Sequence, residues 1–153
     1  MSEYLETTVD KFIFRVATDR LYSSDGVWAF WFESAGSGRV RIGLTDYLQQ
    51  LNGDVAFAHV RPVGTKLTAG DEIAEIETIK ATVSLIAPVS GTVVEANPDL
   101  ELSPELINQE PYGKGWLAVL EVTNWETDRA KLLDPQAYLT AMRSQALEEL
   151  KKQ

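Results

Sequence analysis

Residues 76–87 read IETIKATVSLIA, two runs rich in Ile, Val and Thr that meet at Thr78-Ile79-Lys80-Ala81. The join holds no Gly, Asn, Asp or Pro, although a two-residue hairpin wants positive φ and reaches it with least strain through Gly or Asn. Around this join the sequence repeats itself. Gly64-Thr65-Lys66-Leu67-Thr68-Ala69-Gly70 and Gly91-Thr92-Val93-Val94-Glu95-Ala96-Asn97 share Gly, Thr, an aliphatic residue, Ala and a turn residue, at a constant offset of 27 (91 − 64 and 97 − 70). The midpoint of the pair falls beside Lys80. Two similar strand-turn units flanking one reversal predict a pseudo-symmetric β sandwich, with residues 78–81 as a hairpin tip held away from the core.

Strand signals also precede the repeat. Val27-Trp28-Ala29-Phe30-Trp31-Phe32 is apolar and largely aromatic, and Arg39-Val40-Arg41-Ile42-Gly43-Leu44 alternates, with Gly36-Ser37-Gly38 between them as the expected hairpin loop. Thr45 reads as the N-cap of a short helix, Asp46 to Leu51, stopped by Asn52-Gly53. The chain returns to strand at Asp54. Pro104, Pro111, Gly113 and Gly115 mark a turn-rich connection before a closing strand, Trp116 to Val122. Asp134-Pro135 supplies an N-cap and a first-turn proline for a terminal helix whose apolar stripe is Leu139, Met142, Ala146 and Leu150. The stripe is expected to pack on the same domain, the other reading being a surface for a partner protein.

Composition narrows the chemistry. A formal net charge of −9, from 14 Lys plus Arg against 23 Asp plus Glu, repels a phosphate backbone and argues against nucleic acid as a partner. The longest apolar run is too short to span a bilayer, so no membrane segment is expected. Glu3, Glu6 and Asp10 suit neither a secretory signal nor an acid-poor transit peptide, which leaves the cytoplasm as the expected compartment. With no Cys and one His there is no thiolate nucleophile, no Cys/His zinc site and one ordinary imidazole. His59, in the alternating run Asp54 to Val60, reads as a solvated or hydrogen-bonded strand residue rather than a catalytic base. No catalytic residue and no metal site emerge.

A lysine at a rigid tip suits a different task. Its ammonium can enter another enzyme's active site, and an acyl group attached by an amide would swing on a long stem between several such sites at high effective concentration. Such a carrier needs no catalytic groups of its own. Glu77-Thr78-Ile79-Lys80-Ala81 resembles the lipoylation site of lipoyl domains, with an acidic residue three before the lysine and a small residue, Ala81, after it. Biotin carriers have Met-Lys-Met at this point, where this chain has Ile79 and Ala81. Glu77 is open to two readings, recognition by a lipoate-attaching enzyme or plain solvation of the hairpin. Ile79 and Val83 are either an apolar docking patch for the arm, if exposed, or ordinary strand residues.

Read outward from Lys80, most of the chain resembles the H protein family of the glycine cleavage system. The matching blocks are Leu21-Tyr22 with Val27-Trp28, Val40 to Tyr47, Gly53-Asp54-Val55, Val63-Gly64-Thr65, Ala69-Gly70-Asp71, Ala87 to Asn97, Pro104 to Asn108 and Pro111 to Trp116, all in order. The resemblance implies a mainly β, barrel-sandwich hybrid fold of the lipoyl and biotinyl carrier type with a C-terminal helix. It also implies lipoate in amide linkage to Lys80. The expected layout is an N-terminal extension over 1–16, a lipoyl-carrier domain over 17–130 and a C-terminal helix over 131–153 packed on it.

The match has gaps. Where the family has His-x-Trp, this chain has Gly26 before Trp28, and where the family has Ser, Asp and Tyr after the lysine, it has Val83, Ser84 and Ile86. More apolar surroundings with one carboxylate fewer favour a positively charged aminomethyl cargo less. On that ground the chain looks like the lipoate-binding proteins of bacterial sulfur oxidation, whose partner is a heterodisulfide-reductase-like complex. The H protein of glycine cleavage, with the glycine cleavage enzymes and dihydrolipoyl dehydrogenase as partners, is the alternative. An unmodified scaffold that keeps the fold with an idle lysine is a third reading, from another class. Phe12-Ile13-Phe14 in the extension reads as an edge strand, a contact surface or simple extra packing.

Overall fold

The computed structural model describes residues 3–152. At the start of the described chain β1 (Tyr4–Val9) and β2 (Phe12–Ala17) pair as a separate antiparallel hairpin. Next come β3 (Leu21–Tyr22), β4 (Val27–Ser34), β5 (Ser37–Leu44), α1 (Asp46–Asn52) and β6 (Val55–Val60). The repeat region supplies β7 (Lys66–Leu67), β8 (Glu72–Thr78), β9 (Thr82–Ile86) and β10 (Gly91–Ala96). A single 3-10 turn, Pro98–Leu100, leads to α2 (Leu106–Gln109), β11 (Ala118–Val122), α3 (Trp125–Arg129) and α4 (Pro135–Lys151). Among the described residues no helix is long and apolar enough to cross a membrane.

Six strands form one sheet in the order β3-β4-β5-β11-β10-β7, and β6-β8-β9 form another. Val40, Ile42 and Leu44 of β5, Ile73 and Ile76 of β8, Leu85 of β9 and Leu120 of β11 are buried in one cluster. Each large aliphatic side chain sealed there contributes roughly 1.5–3 kcal/mol. The repeated segments lie side by side: β7 pairs antiparallel with β10, Leu67 opposite Gly91 and Lys66 opposite Thr92. The Gly64 N–H donates to Val93 O at 2.8 Å and the Val93 N–H to Thr65 O at 2.9 Å. The two halves are unequal, two residues of strand against six.

The β4–β5 connection corrects the expected loop. Ser37 and Gly38 are strand residues opposite Ser34 and Glu33, and the turn is Ala35-Gly36 at φ 53° and 79°. Positive φ at both turn residues matches the twist of strands joined by only two residues. Glycine suits position 38 of the strand because a Cβ there would lie 3.1 Å from the Trp31 indole nitrogen. The closing strand is shorter than expected, Trp116 and Leu117 preceding β11.

A second buried cluster joins the termini. Val9, Phe14 and Val16 of the hairpin pack with Tyr22, Trp28, Tyr47, Tyr138, Met142 and Ala146. Asp134 caps α4 by accepting from the Ala137 N–H, with Pro135 in the first turn. The helix packs on the rest of the chain, and its buried face is Tyr138, Met142 and Ala146. Leu139 and Leu150 are only half-buried, so the face is centred one position away from the expected stripe. Arg143 ties the helix to the hairpin by donating to Thr8 O at 2.9 Å. Phe12-Ile13-Phe14 is therefore strand and packing at once: Phe14 is buried while Phe12 and Ile13 remain exposed.

Candidate carrier site at the hairpin tip

Thr78 explains how the reversal forms without Gly or Asn. Its N–H donates to Ala81 O at 2.9 Å, and its hydroxyl oxygen accepts from the Ala81 N–H at 3.3 Å while donating to Ala81 O at 3.2 Å. One hydroxyl, donor and acceptor together, closes the turn. Among the described residues Asp10 and Ala35 are the non-glycine residues at positive φ, so Ile79 and Lys80 sit at the tip without that strain. The two tip positions are then free to carry any side chain. Ile79 is 93% exposed, and Lys80 and Ala81 are exposed beside it.

The Lys80 side chain turns back toward α1. Its Nζ donates to Leu51 O at 3.2 Å, one of the carbonyls that the last turn of that helix leaves without an internal donor. Thr45 caps the start of α1 by accepting from the Leu48 N–H, and Gly53 at φ 80° ends it, as the sequence predicts. Because α1 has no basic residue in its last turn, the Lys80 ammonium is the cation that meets its negative end.

The flanking residues are dispersed. Glu77 faces His59 across β6 and β8, with 3.6 Å between Oε1 and Nε2, and the His59 ring stacks on Phe57. His59 is thus an exposed strand residue with a carboxylate neighbour. Val83 is half-buried against the sheet core, opposite Ile76, so it forms no continuous patch with Ile79.

Two clefts draw on this hairpin, one including Lys80 and the other including β9. One, of about 200 Å³, is walled by Phe12 and Phe14 of β2, Tyr47 and Leu51 of α1, and Glu149 and Leu150 of α4, with Lys80 on its margin. The other, of about 190 Å³, lies along β9 and is lined by Asp25, Val27, Leu48, Val83, Ser84 and Leu85. Asp25 and Glu149 supply carboxylates that reading along the chain from Lys80 misses. No local signal marks them, since Asp25 lies in the β3–β4 connection and Glu149 at the far end of α4. Among the described residues no group of metal-ligating side chains converges.

Comparison with known proteins adds the decisive observation: the profile of the glycine cleavage H-protein family matches residues 20–145. The chain belongs to that family. It is 45% identical over 111 residues to the glycine cleavage system H protein of Mycobacterium avium, covering 71% of this chain and 84% of the relative. It is 40% identical over 131 residues to the probable glycine cleavage system H protein of Thermococcus kodakarensis, covering 86% and 95%. The crystal structure of a glycine cleavage system H protein from Mycobacterium marinum superposes with a TM-score of 0.71 at 33% identity, over 80% of this chain and 95% of that one. The fold is the lipoyl-carrier barrel-sandwich of the family. Family members are non-catalytic carriers with lipoate attached covalently to a lysine. The names of these relatives move the pathway expectation from sulfur oxidation to glycine cleavage. The β1–β2 hairpin lies outside the matched span.

Proposed function

We propose that this protein is a cytoplasmic lipoyl carrier of a glycine cleavage system, with the lipoyl group in amide linkage to Lys80. The observation that carries the assignment is the position of Lys80. Of the lysines inside the family span, Lys66 lies in β7, and Lys114 and Lys131 lie in connections, while Lys80 stands at the tip of the β8–β9 hairpin. A rigid tip closed by Thr78 presents the group to visiting enzymes without moving the core. The residues fit a lipoyl amide, because a secondary amide keeps one N–H and among the described residues Leu51 O is the acceptor that Nζ has.

When bound, lipoate supplies a dithiolane that opens to a dithiol and closes again, carrying cargo and electrons between enzymes. Glu77, beside the attachment point on the outer face of β8, is the residue proposed to be read by the lipoate-attaching enzyme. Ile79, with nearly all of its surface in water, is the apolar contact offered to each partner. Glycine decarboxylase, the aminomethyltransferase and dihydrolipoyl dehydrogenase are the proposed partners.

Sulfur oxidation with a heterodisulfide-reductase-like complex is the second reading, favoured by one observation. The cleft along β9 is lined mainly by Val27, Leu48, Val83, Leu85 and Ile86, with Asp25 as its one carboxylate. Reconstitution separates the two: with glycine decarboxylase and the aminomethyltransferase, the lipoylated chain restores glycine-dependent carbon dioxide release if it serves glycine cleavage. Failure with a fully lipoylated chain sinks that pathway and leaves the sulfur reading. Tandem mass spectrometry of the Lys80 peptide from the native host tests the attachment itself, a bare lysine during active metabolism pointing instead to an unmodified scaffold.

A further inference from the structure

We infer that the outer face of the six-stranded sheet, at Arg39 and Arg41 of β5, is a docking surface for an acidic segment of a partner protein, one that presents two carboxylates two residues apart in extended backbone. Val40 and Ile42 point into the shared core, so the pleat turns Arg39 and Arg41 to the opposite face. There they lie across from Phe32 and Phe30 of β4. The other arginines of the chain all have partners: Arg15 pairs with Glu6, Arg20 with Asp19, Arg61 with Glu72 and Arg129 with Glu126, and Arg143 donates to Thr7 and Thr8. Among the described residues the Arg39 and Arg41 side chains have neither an ion pair nor a hydrogen bond, and the Nε of each is buried without an acceptor. Glu121 stands opposite Arg39 on β11 but forms no ion pair with it. A buried charged donor without an acceptor is destabilising, and an incoming carboxylate relieves that cost.

The surface is built to receive one. The Arg41 guanidinium lies 4.9 Å from the centre of the Trp116 ring and 6.0 Å from that of Phe32, which orients its planar fork before any partner arrives. Beside it is a cleft of about 190 Å³ walled by Trp28, Phe30 and Tyr112, whose one carboxylate, Asp19, is engaged by Arg20 at 2.8 Å. Arginine set among aromatic side chains is the composition of protein–protein contact surfaces. The net charge of −9 repels an extended polyanion such as nucleic acid or an anionic membrane, which leaves a local contact with a few carboxylates as the use of this cationic face. Alternate residues on one strand are roughly 7 Å apart, the same spacing as two acidic residues at alternate positions of an extended partner segment. Lys80 joins β8 to β9 of the other sheet and lines no part of this cleft, so the surface is separate from the attachment point.

The test is a titration of the nitrogen-15-labelled full chain, read at the arginine side-chain Nε–H resonances. Three probes are used: the peptide acetyl-Ser-Glu-Val-Glu-Ser-amide, its counterpart with Gln at both Glu positions, and free glutarate. The expected result is a shift of the Arg39 and Arg41 resonances with the Glu peptide, with the Arg61 resonance unmoved and no response to the Gln peptide. Arg41→Gln should weaken binding about tenfold or more, and Arg41→Lys, which keeps the charge but loses the fork, should recover only part of the loss. The wild-type titration stands by itself if a variant fails to fold. Unmoved Arg39 and Arg41 resonances, or an equal response to the Gln peptide, overturn the docking surface. Glutarate binding as tightly as the Glu peptide also overturns it, because the site then takes a small free anion rather than a protein segment.

Discussion

Lys80 donates from Nζ to the carbonyl oxygen of Leu51, 29 positions earlier in the chain, and so joins the β8–β9 tip to the end of α1. The contact is weak in stability terms, since both residues are exposed. Its importance is directional. It turns a side chain that is free in principle toward one side of the hairpin, where the N-terminal strands and α4 meet.

Lys80→Ala is expected to abolish lipoyl attachment and all carrier activity while changing folding stability by no more than about 0.5 kcal/mol, as for other exposed substitutions. Intact mass after incubation with a lipoate-attaching enzyme, together with urea unfolding, checks both halves. Lipoyl mass retained on the variant would move the attachment point elsewhere.

Thr78→Val keeps the shape of the side chain and removes the hydroxyl that closes the turn. The Ala81 N–H then loses its acceptor at a site open to water, and a stability loss of about 1 kcal/mol is expected. Amide exchange of Ala81 should accelerate while that of Ile76, in the buried middle of β8, changes no more than global stability requires. A tip loosened in this way should also be lipoylated more slowly, because the attaching enzyme meets a less ordered lysine.

Gly43→Ala tests the packing of the six-stranded sheet. A Cβ at Gly43 would fall 2.4 Å from Trp28 Cζ2, directly across from it in the β4–β5 pair. The indole has no room to retreat: it is fully buried, donates from Nε1 to Pro111 O at 3.0 Å, and has the Arg20 guanidinium over its ring at 4.5 Å. A loss of about 1–3 kcal/mol is expected, read as a lower denaturation midpoint at unchanged slope. A neutral result would mean that the sheet flexes around Trp28.

Alkaline pH should unfold the protein through its tyrosines. Burial raises the phenol pKa of Tyr22, Tyr47, Tyr112 and Tyr138 above the ordinary value of 10.0. Above about pH 10 the unfolded chain releases protons that the folded chain retains, so the contribution of these groups is complete below that pH and declines as pH rises. Tyrosinate absorbance should therefore appear in step with loss of structure. Full ionisation of these four phenols before unfolding would contradict their burial.

Much of the sheet was legible because strand signals are local. Alternation in Arg39 to Leu44, the cap at Thr45 and the Asp134-Pro135 start are each set by neighbours within a few residues, and each appears where expected. The Gly36-Ser37-Gly38 loop was expected to run two residues past the observed turn, because Ser37 and Gly38 are held as strand by pairing with Ser34 and Glu33, and Gly38 is glycine for the sake of Trp31 on the neighbouring strand. The first strand, Tyr4–Val9, carried no clear alternation of its own. It forms because its partner β2 and the buried face of α4 cover it.

The sequence by itself determined the carrier: ordered motifs around one lysine, a repeat on either side of it, and a composition poor in catalytic groups. What surrounds the lysine was decided only in three dimensions. Chain neighbours of Lys80 set the turn, but the group that accepts from its Nζ is Leu51 O, and the cleft it helps to line takes Phe12, Phe14, Glu149 and Leu150 from distant parts of the chain. Backbone hydrogen bonding and alternation act over a few residues and are written along the chain. The walls of a cleft depend on which elements pack together, and burial of apolar surface makes that choice for the whole chain at once.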